Sequence, residues 1–425
     1  MPAAHPLSFN PNYLDEIAIT RALANGTHSP VLQAYFGSAI YQELCSLAQQ
    51  ALQTKIDVRA PKIYLLPGLL GSKLGISSTA HTDLLWLDPA NVADGKLTQL
   101  TIGRRRSVRP IGVMLTAYLK LKLTLQAAGM PVKLYPYDWR RSVIKLGQQL
   151  ADDLLHESAA EVMLVAHSMG GLVARAALKY PAAAKVTRVV QLGTPNQGSF
   201  ALLQTLRACY PTVRKLGALD QIHSAEQLTT QVFRSFYSFY EMLPGPTHTP
   251  GLNLLDQSHW PADELAPNIA RLVSARRASR HLAEADRRCH LITGIDQRTV
   301  TGIRRNSHEF AFQFSHAGDG TVPVALAHWD KAQHWYIREV HGQLPRNTTV
   351  CQAVVDLLQN ETTQLLPATA PEIGQAGIVE YTESDLKQLA GRKVRWEMLS
   401  LDERRELLEP VITEAFTAAC NPPLI

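Results

Sequence analysis

The chain has 425 residues, of which 46% are apolar and 19% charged, with a formal net charge of +5. At roughly 150 residues per domain this allows two or three domains, or one large α/β domain with insertions. The composition excludes collagen-like, low-complexity and long disordered architectures. The basic excess is mild; its dense runs are Arg104-Arg105-Arg106 with Arg109, and Arg271, Arg276, Arg277 and Arg280. They read as solvated faces, with contact to an anionic membrane surface as the functional alternative, and no nucleic-acid partner is expected.

In chain order, residues 1–60 read as an N-terminal helical extension, with Leu32, Tyr35, Tyr41, Leu44 and Leu47 loosely spaced at three to four until Pro61. Apolar runs then predict strands at Lys62–Leu66, Val132–Tyr135, Val162–Ala166 and Arg188–Leu192, separated by helical stretches at Met114–Ala128 and Leu172–Tyr180. Strands alternating with helices predict βαβ units, hence an α/β fold with a mostly parallel central sheet flanked by helices. This first part of the core spans 61–199. Residues 200–285 read as a helical insertion rich in exposed-looking apolar residues, broken by Pro244-Gly245-Pro246 and Pro250-Gly251. Strand-like sequence returns at Cys289–Thr293 and His334–Val340, giving a second part of the core over 286–365. Residues 366–425 read as a C-terminal helical extension, with a charged amphipathic run at Leu399–Phe416.

The five cysteines, Cys45, Cys209, Cys289, Cys351 and Cys420, are far apart and odd in number. With no paired Cys/His spacing, neither a zinc site nor a disulfide framework is expected, and free thiols suit a reducing compartment. The first twenty residues lack both a basic and an apolar stretch, so no cleaved secretory signal is expected. No apolar run is long enough to span a membrane. Together these point to the cytoplasm, and export by a signal-independent route stays compatible with them. No metal or organic cofactor is implied.

The most informative segment is Val162-Met-Leu-Val-Ala-His-Ser168-Met-Gly-Gly171. It places a serine among small residues between a buried strand and a helix. Such a turn exposes the hydroxyl at its tip, and the helix that follows aims its positive end at the turn. The pattern is G-x-S-x-G with Ala166 at the first position, which adds only a methyl group. We take Ser168 as a candidate nucleophile. A serine hydroxyl needs a base to remove its proton and a carboxylate to orient that base. Asp319, between Gly318 and Gly320, is the best acid candidate, although an Asx-turn aspartate suits the same composition. His341, after a strand and before Gly342, is a candidate base, with His316, His328 and His334 competing. The oxyanion needs two backbone N–H donors. Met169, after the serine, is one candidate, and Leu69, in the loop after the first core strand, is the other; a plain glycine turn is the alternative for that loop.

Five segments, in order, resemble the lecithin:cholesterol acyltransferase family, which also includes the phospholipid:diacylglycerol acyltransferases and lysosomal phospholipase A2. They are Leu66-Pro-Gly-Leu-Leu-Gly71, Trp86-Leu-Asp-Pro89, Tyr135-Pro-Tyr-Asp-Trp-Arg140, Ala166-His-Ser-Met-Gly-Gly171 with Gly193-Thr-Pro-Asn-Gln-Gly-Ser199, and Gly318-Asp-Gly-Thr-Val-Pro323. The resemblance implies an α/β-hydrolase fold with Ser168 as nucleophile, Asp319 as acid, His341 as base, and Leu69 and Met169 as the oxyanion hole. It implies that 200–285 forms a cap over an acyl site, with Phe233, Phe236 and Phe239 as substrate-binding residues. Tyr137, Asp138 and Trp139 are expected as packing beneath the elbow. The chain is expected to lack the secretory, membrane-bound and disulfide features of the eukaryotic members and looks like a soluble bacterial branch.

The expected activity is serine-dependent hydrolysis of a lipid or other ester, of the lipase or phospholipase A type, through an acyl-enzyme. The alternative is O-acyl transfer from the same intermediate, and a third reading is a non-catalytic lipid-binding protein. Peripheral membrane contact, and a protein partner held by the terminal extensions, are compatible with the amphipathic ends.

Overall fold

A computed structural model describes residues 10–57, 59–77, 82–103, 107–372, 377–388 and 393–400, with residues 403 and 407. Arg104-Arg105-Arg106, Cys420 and most of the Leu399–Phe416 run lie outside the described residues. In chain order the strands are β1 (Lys62–Leu66), β2 (Ser72–Ser77), β3 (Thr82–Trp86), β4 (Arg109–Val113), β5 (Val132–Leu134), β6 (Val162–His167), β7 (Val186–Leu192), β8 (Cys289–Gly294), β9 (Thr299–Arg305), β10 (Phe310–Ser315), β11 (Gln333–Ile337) and β12 (Val379–Thr382).

The central sheet has six strands in the order β11-β8-β7-β6-β1-β5. Every neighbouring pair is parallel. These are the six strands expected from sequence, within a few residues at each end. Continuous apolar runs such as Val162–His167 form them because a parallel sheet is covered on both faces. One face packs on the helices Val143–His156 and Met169–Ala177. The other packs on Leu115–Ala127, Thr348–Asn360 and the N-terminal helices Glu16–Asn25, Ser29–Phe36 and Ser38–Gln53. The helix Leu115–Ala127 is buried nearly all round. Two of its lysines point into this packing, Lys120 meeting Glu43 at 2.7 Å and Lys122 meeting Glu16 at 3.8 Å.

Two small antiparallel sheets, β3-β2-β4 and β12-β10-β9, were not anticipated. Their strands are short, and Gly75, Pro110, Gly112 and Gly302 interrupt the alternation that marks a strand. The described part of 366–425 thus contains a strand, β12, paired antiparallel with β10, as well as the helix Glu383–Gln388. Four residues are too few for a strand period to register in sequence.

Between β7 and β8 the chain forms short helices, among them Phe200–Leu206, Pro211–Leu219, Ala225–Gln231, Tyr237–Glu241 and Ile269–Ala278. The apolar residues of this segment that look exposed in sequence are buried: Leu203, Phe236 and Tyr240 have no accessible surface. All three belong to the main core, where Phe236 packs on Trp139 and Phe239 with ring-centroid distances of 5.6 Å and 5.2 Å. Among the described residues no helix is long and apolar enough to cross a membrane. Cys45, Cys209, Cys289 and Cys351 are free thiols.

Candidate functional site

The carboxyl ends of β1, β6, β7 and β8 converge where β6 turns into the helix Met169–Ala177. Ser168 occupies that turn at φ 52°, ψ −126°, a conformation that costs an L-residue energy and persists only when its surroundings enforce it. Its N–H donates to the Leu192 carbonyl at 2.8 Å, and its carbonyl accepts from Gly171 N–H at 2.9 Å. Met169 opens the helix, so its N–H has no partner within the helix. The loop after β1 crosses directly above. A Cβ on Gly68 would stand 2.9 Å from Ser168 Cβ, so only glycine permits this approach. Leu69 follows, half-buried, beside the elbow.

Asp319 and His341 come together at the same end of the sheet. His341 Nδ1 lies 2.7 Å from Asp319 Oδ2, and neither side chain has more than about one-hundredth of its surface exposed. The other carboxylate oxygen, Oδ1, accepts from the N–H groups of Thr321 (3.0 Å) and Val322 (2.7 Å). One oxygen of Asp319 therefore closes an Asx turn while the other meets His341. The backbones are tied as well, His341 N–H donating to Asp319 O at 2.8 Å. Gly193, at φ 58°, passes beneath the pair, and a Cβ there would meet His341 Nδ1 at 3.0 Å and Asp319 Oδ2 at 3.1 Å. The competing histidines are engaged elsewhere. His316 faces Asp296, His328 faces Asp330, and His334 Nε2 meets the Trp329 carbonyl.

Two residues of this cluster were passed over in sequence. His167, adjacent to the nucleophile candidate, has its ring centroid 4.9 Å from that of His341, and its Nε2 lies 3.1 Å from the His341 carbonyl. Tyr118 Oη lies 2.8 Å from His167 Nδ1 and accepts from Gly68 N–H at 2.7 Å. Burial, with the nearby His341, holds the His167 imidazole well below the ordinary histidine range. Tyr118 carries no sequence signal: it sits 49 residues from His167 in an apolar helix.

The motif residues 137–140 brace the loop after β1. Tyr137 Oη donates to the Pro67 carbonyl at 2.5 Å and Trp139 Nε1 donates to the Ser72 carbonyl at 3.0 Å. Asp138 pairs with Arg140 at 2.7 Å, and Arg140 also donates to the Leu100 carbonyl. The Gly193–Ser199 motif joins two loops: Arg175 donates to the carbonyl and side chain of Asn196, and Ser199 Oγ donates to the Thr321 carbonyl at 2.5 Å.

From Leu69 an apolar cavity of about 40 Å³ extends beneath the 200–285 helices, lined by Leu70, Trp86, Leu202, Val213, Phe233 and Phe239 among others. Phe233 and Phe239 face it. Phe236 stands behind them against Trp139.

Residues 138–233, which include the Ser168 turn, match the family described as PGAP1-like alpha/beta domain. The chain has an α/β-hydrolase fold. No curated protein matches it. Among solved structures, the mature form of Bacillus licheniformis lipase BlEst2 aligns at 15% identity and a TM-score of 0.38, over 71% of this chain and 94% of the other. The propeptide form gives 15% and 0.38, over 76% and 53%. The Tle4–Tli4 complex gives 14% and 0.37, over 56% and 75%. Likeness at this level bears on neither activity nor substrate.

Proposed function

We propose that this α/β-hydrolase-fold chain is a serine-dependent hydrolase of lipid esters. The observation that carries the reading is a strained Ser168 elbow at the same end of the sheet as a buried His341–Asp319 pair joined at 2.7 Å, the two linked through His167, whose Nε2 lies 3.1 Å from the His341 carbonyl. In this reading His341 removes the Ser168 proton as the hydroxyl attacks the ester carbonyl. Asp319 holds His341 with Nδ1–H toward itself and stabilises the imidazolium. The N–H groups of Leu69 and Met169 receive the oxyanion. His341 then returns the proton to the departing alcohol, leaving an acyl-Ser168 ester, and water releases the acid in a second passage through the same steps. The apolar lining of the cavity beside Leu69 suits a hydrocarbon group, and at about 40 Å³ the cavity has to widen by movement of its lining side chains to take an acyl chain. The helices of 200–285 serve as the cap over it, with Phe233 and Phe239 against the chain.

Acyl transfer is the second reading. The five segments that resemble the lecithin:cholesterol acyltransferase family favour it, since both reactions share the acyl-enzyme and differ only in whether water or an alcohol receives the acyl group.

The test is incubation of wild type and Ser168→Ala with mixed phospholipid and neutral-lipid vesicles, followed by mass spectrometry. Free fatty acid formed by wild type and absent with Ser168→Ala is the expected result. New acyl esters in place of free acid would turn the reading to acyl transfer. Equal product from both proteins would sink Ser168 as the nucleophile.

A further inference from the structure

We propose that Tyr118 and His167 are positioning residues that form a directed hydrogen-bond relay from the loop carrying Leu69 to the backbone of His341, setting the oxyanion side and the base side of the site together. The inference rests on the proposed roles of Ser168, His341 and Leu69.

The direction of the relay follows from its two ends. At one end the His341 carbonyl only accepts, so His167 Nε2, 3.1 Å away, carries a hydrogen. A neutral imidazole then presents Nδ1 as an acceptor, and Tyr118 Oη, at 2.8 Å, donates to it. At the other end Gly68 N–H only donates, and it does so to Tyr118 Oη at 2.7 Å. Every hydrogen therefore points the same way, from Gly68 through Tyr118 and His167 to His341. The neutral ring makes all three bonds, and burial beside His341 disfavours its charged form.

The relay acts where the reaction is most sensitive to placement. Gly68 precedes Leu69, whose N–H is the second oxyanion donor in the proposed mechanism. His341 is held from two directions, its ring by Asp319 and its carbonyl by His167. His167 itself is the last residue of β6 and joins Ser168 covalently. A neutral His167 also spares His341 a like charge at 4.9 Å when the imidazolium forms. Removing the Tyr118 hydroxyl releases His167 to the other tautomer, in which Nε2 no longer donates to the His341 carbonyl.

The experiment compares wild type, Ser168→Ala, Tyr118→Phe, His167→Leu and His167→Gln. It measures p-nitrophenyl butyrate turnover and the rate of labelling by a fluorophosphonate. Glutamine keeps an N–H donor near the Nε2 position but cannot be protonated. The relay predicts that Tyr118→Phe and His167→Leu lower kcat and the labelling rate about 10–100-fold with KM near the wild-type value. His167→Gln should recover most of that loss. Wild-type rates in Tyr118→Phe and His167→Leu, with Ser168→Ala unlabelled, would overturn the relay and leave the nucleophile standing. Loss in all His167 variants alike, without rescue by glutamine, would also overturn it and reduce His167 to packing. Should His167→Leu fail to fold, Tyr118→Phe decides by the same readouts. A wild type that neither turns over nor labels would remove the proposed mechanism, and the relay with it.

Discussion

The end of the sheet around Ser168 and the helices of 200–285 are held by different means. At the sheet end, position is set by backbone and by hydrogen bonds to it: a strained serine, glycines that allow close approach, and side chains such as Tyr118, His167 and Asp319 bonded to main-chain groups. In 200–285, position is set by side chains. Phe236 meets Phe233, Phe239 and Trp139 edge to face. The helix Phe200–Leu206 is tied to the C-terminal segment through Arg207. Its guanidinium, with 1% of its surface exposed, meets Glu383 at 2.8 Å and Asp263 at 2.5 Å. The difference separates two requirements. Reacting groups must be placed to a fraction of an ångström, which rigid backbone supplies. A pocket for a hydrocarbon chain needs only volume and apolar surface, which interchangeable side chains supply.

If that division is right, substitutions at the sheet end should damage activity with little loss of stability, and those in the covering helices should do the reverse. The largest effect is expected from Asp319→Asn. It removes the acceptor for His341 Nδ1–H and should lower kcat about 10⁴-fold, with a thermal midpoint close to wild type. Ester turnover and differential scanning calorimetry on one preparation would check both halves. Arg207→Leu should cost about 3–5 kcal/mol of stability, because it leaves the buried Glu383 with only the longer Lys387 contact at 3.4 Å to balance its charge. The double substitution Arg207→Leu with Glu383→Leu should regain a large part of that loss, which urea unfolding would measure. Phe236→Ala and Phe233→Ala sharpen the comparison within the aromatic cluster. The first should destabilise by about 3–5 kcal/mol with acyl-length preference unchanged. The second, at the cavity wall, should shift preference toward longer acyl chains, read from a series of p-nitrophenyl esters.

The smallest effect tests the core away from both regions. His290, in β8 with no accessible surface, has its pKa lowered from 6.5 to about 4 by burial and by the nearby Arg188. Between those values the unfolded chain binds a proton that the folded chain refuses. The stability held at pH 7 is therefore lost progressively as pH falls from 6.5 toward 4. His290→Leu should flatten that part of the curve of melting temperature against pH. An unchanged slope would place the acid sensitivity elsewhere.

Much of the fold was legible in the chain because parallel strands are buried on both faces and announce themselves as apolar runs. Val162–His167 and Cys289–Gly294 are examples. The strands Ser72–Ser77 and Arg109–Val113 were not legible, since glycine and proline break their alternation and their pairing is decided by what they lie against. The 200–285 segment was recognisable as helical but not as buried: an apolar helix looks the same whether its partner is solvent-exposed substrate or Trp139. The turn at Ser168 was readable because strand, small residues and helix are written within ten residues. The segment around Asp319 alone does not separate an Asx turn from a partner for a histidine, because each uses only one of its two oxygens.

By itself, then, the sequence determined the parallel sheet, the order of its strands along the chain and the turn that presents Ser168, because all three follow from local periodicity and backbone sterics. Only the tertiary structure decided which histidine meets Asp319, which phenylalanines face the cavity, and that Tyr118 reaches His167 across 49 residues. Those pairings depend on which strand ends adjoin in space, and contacts between distant residues leave no period in the chain.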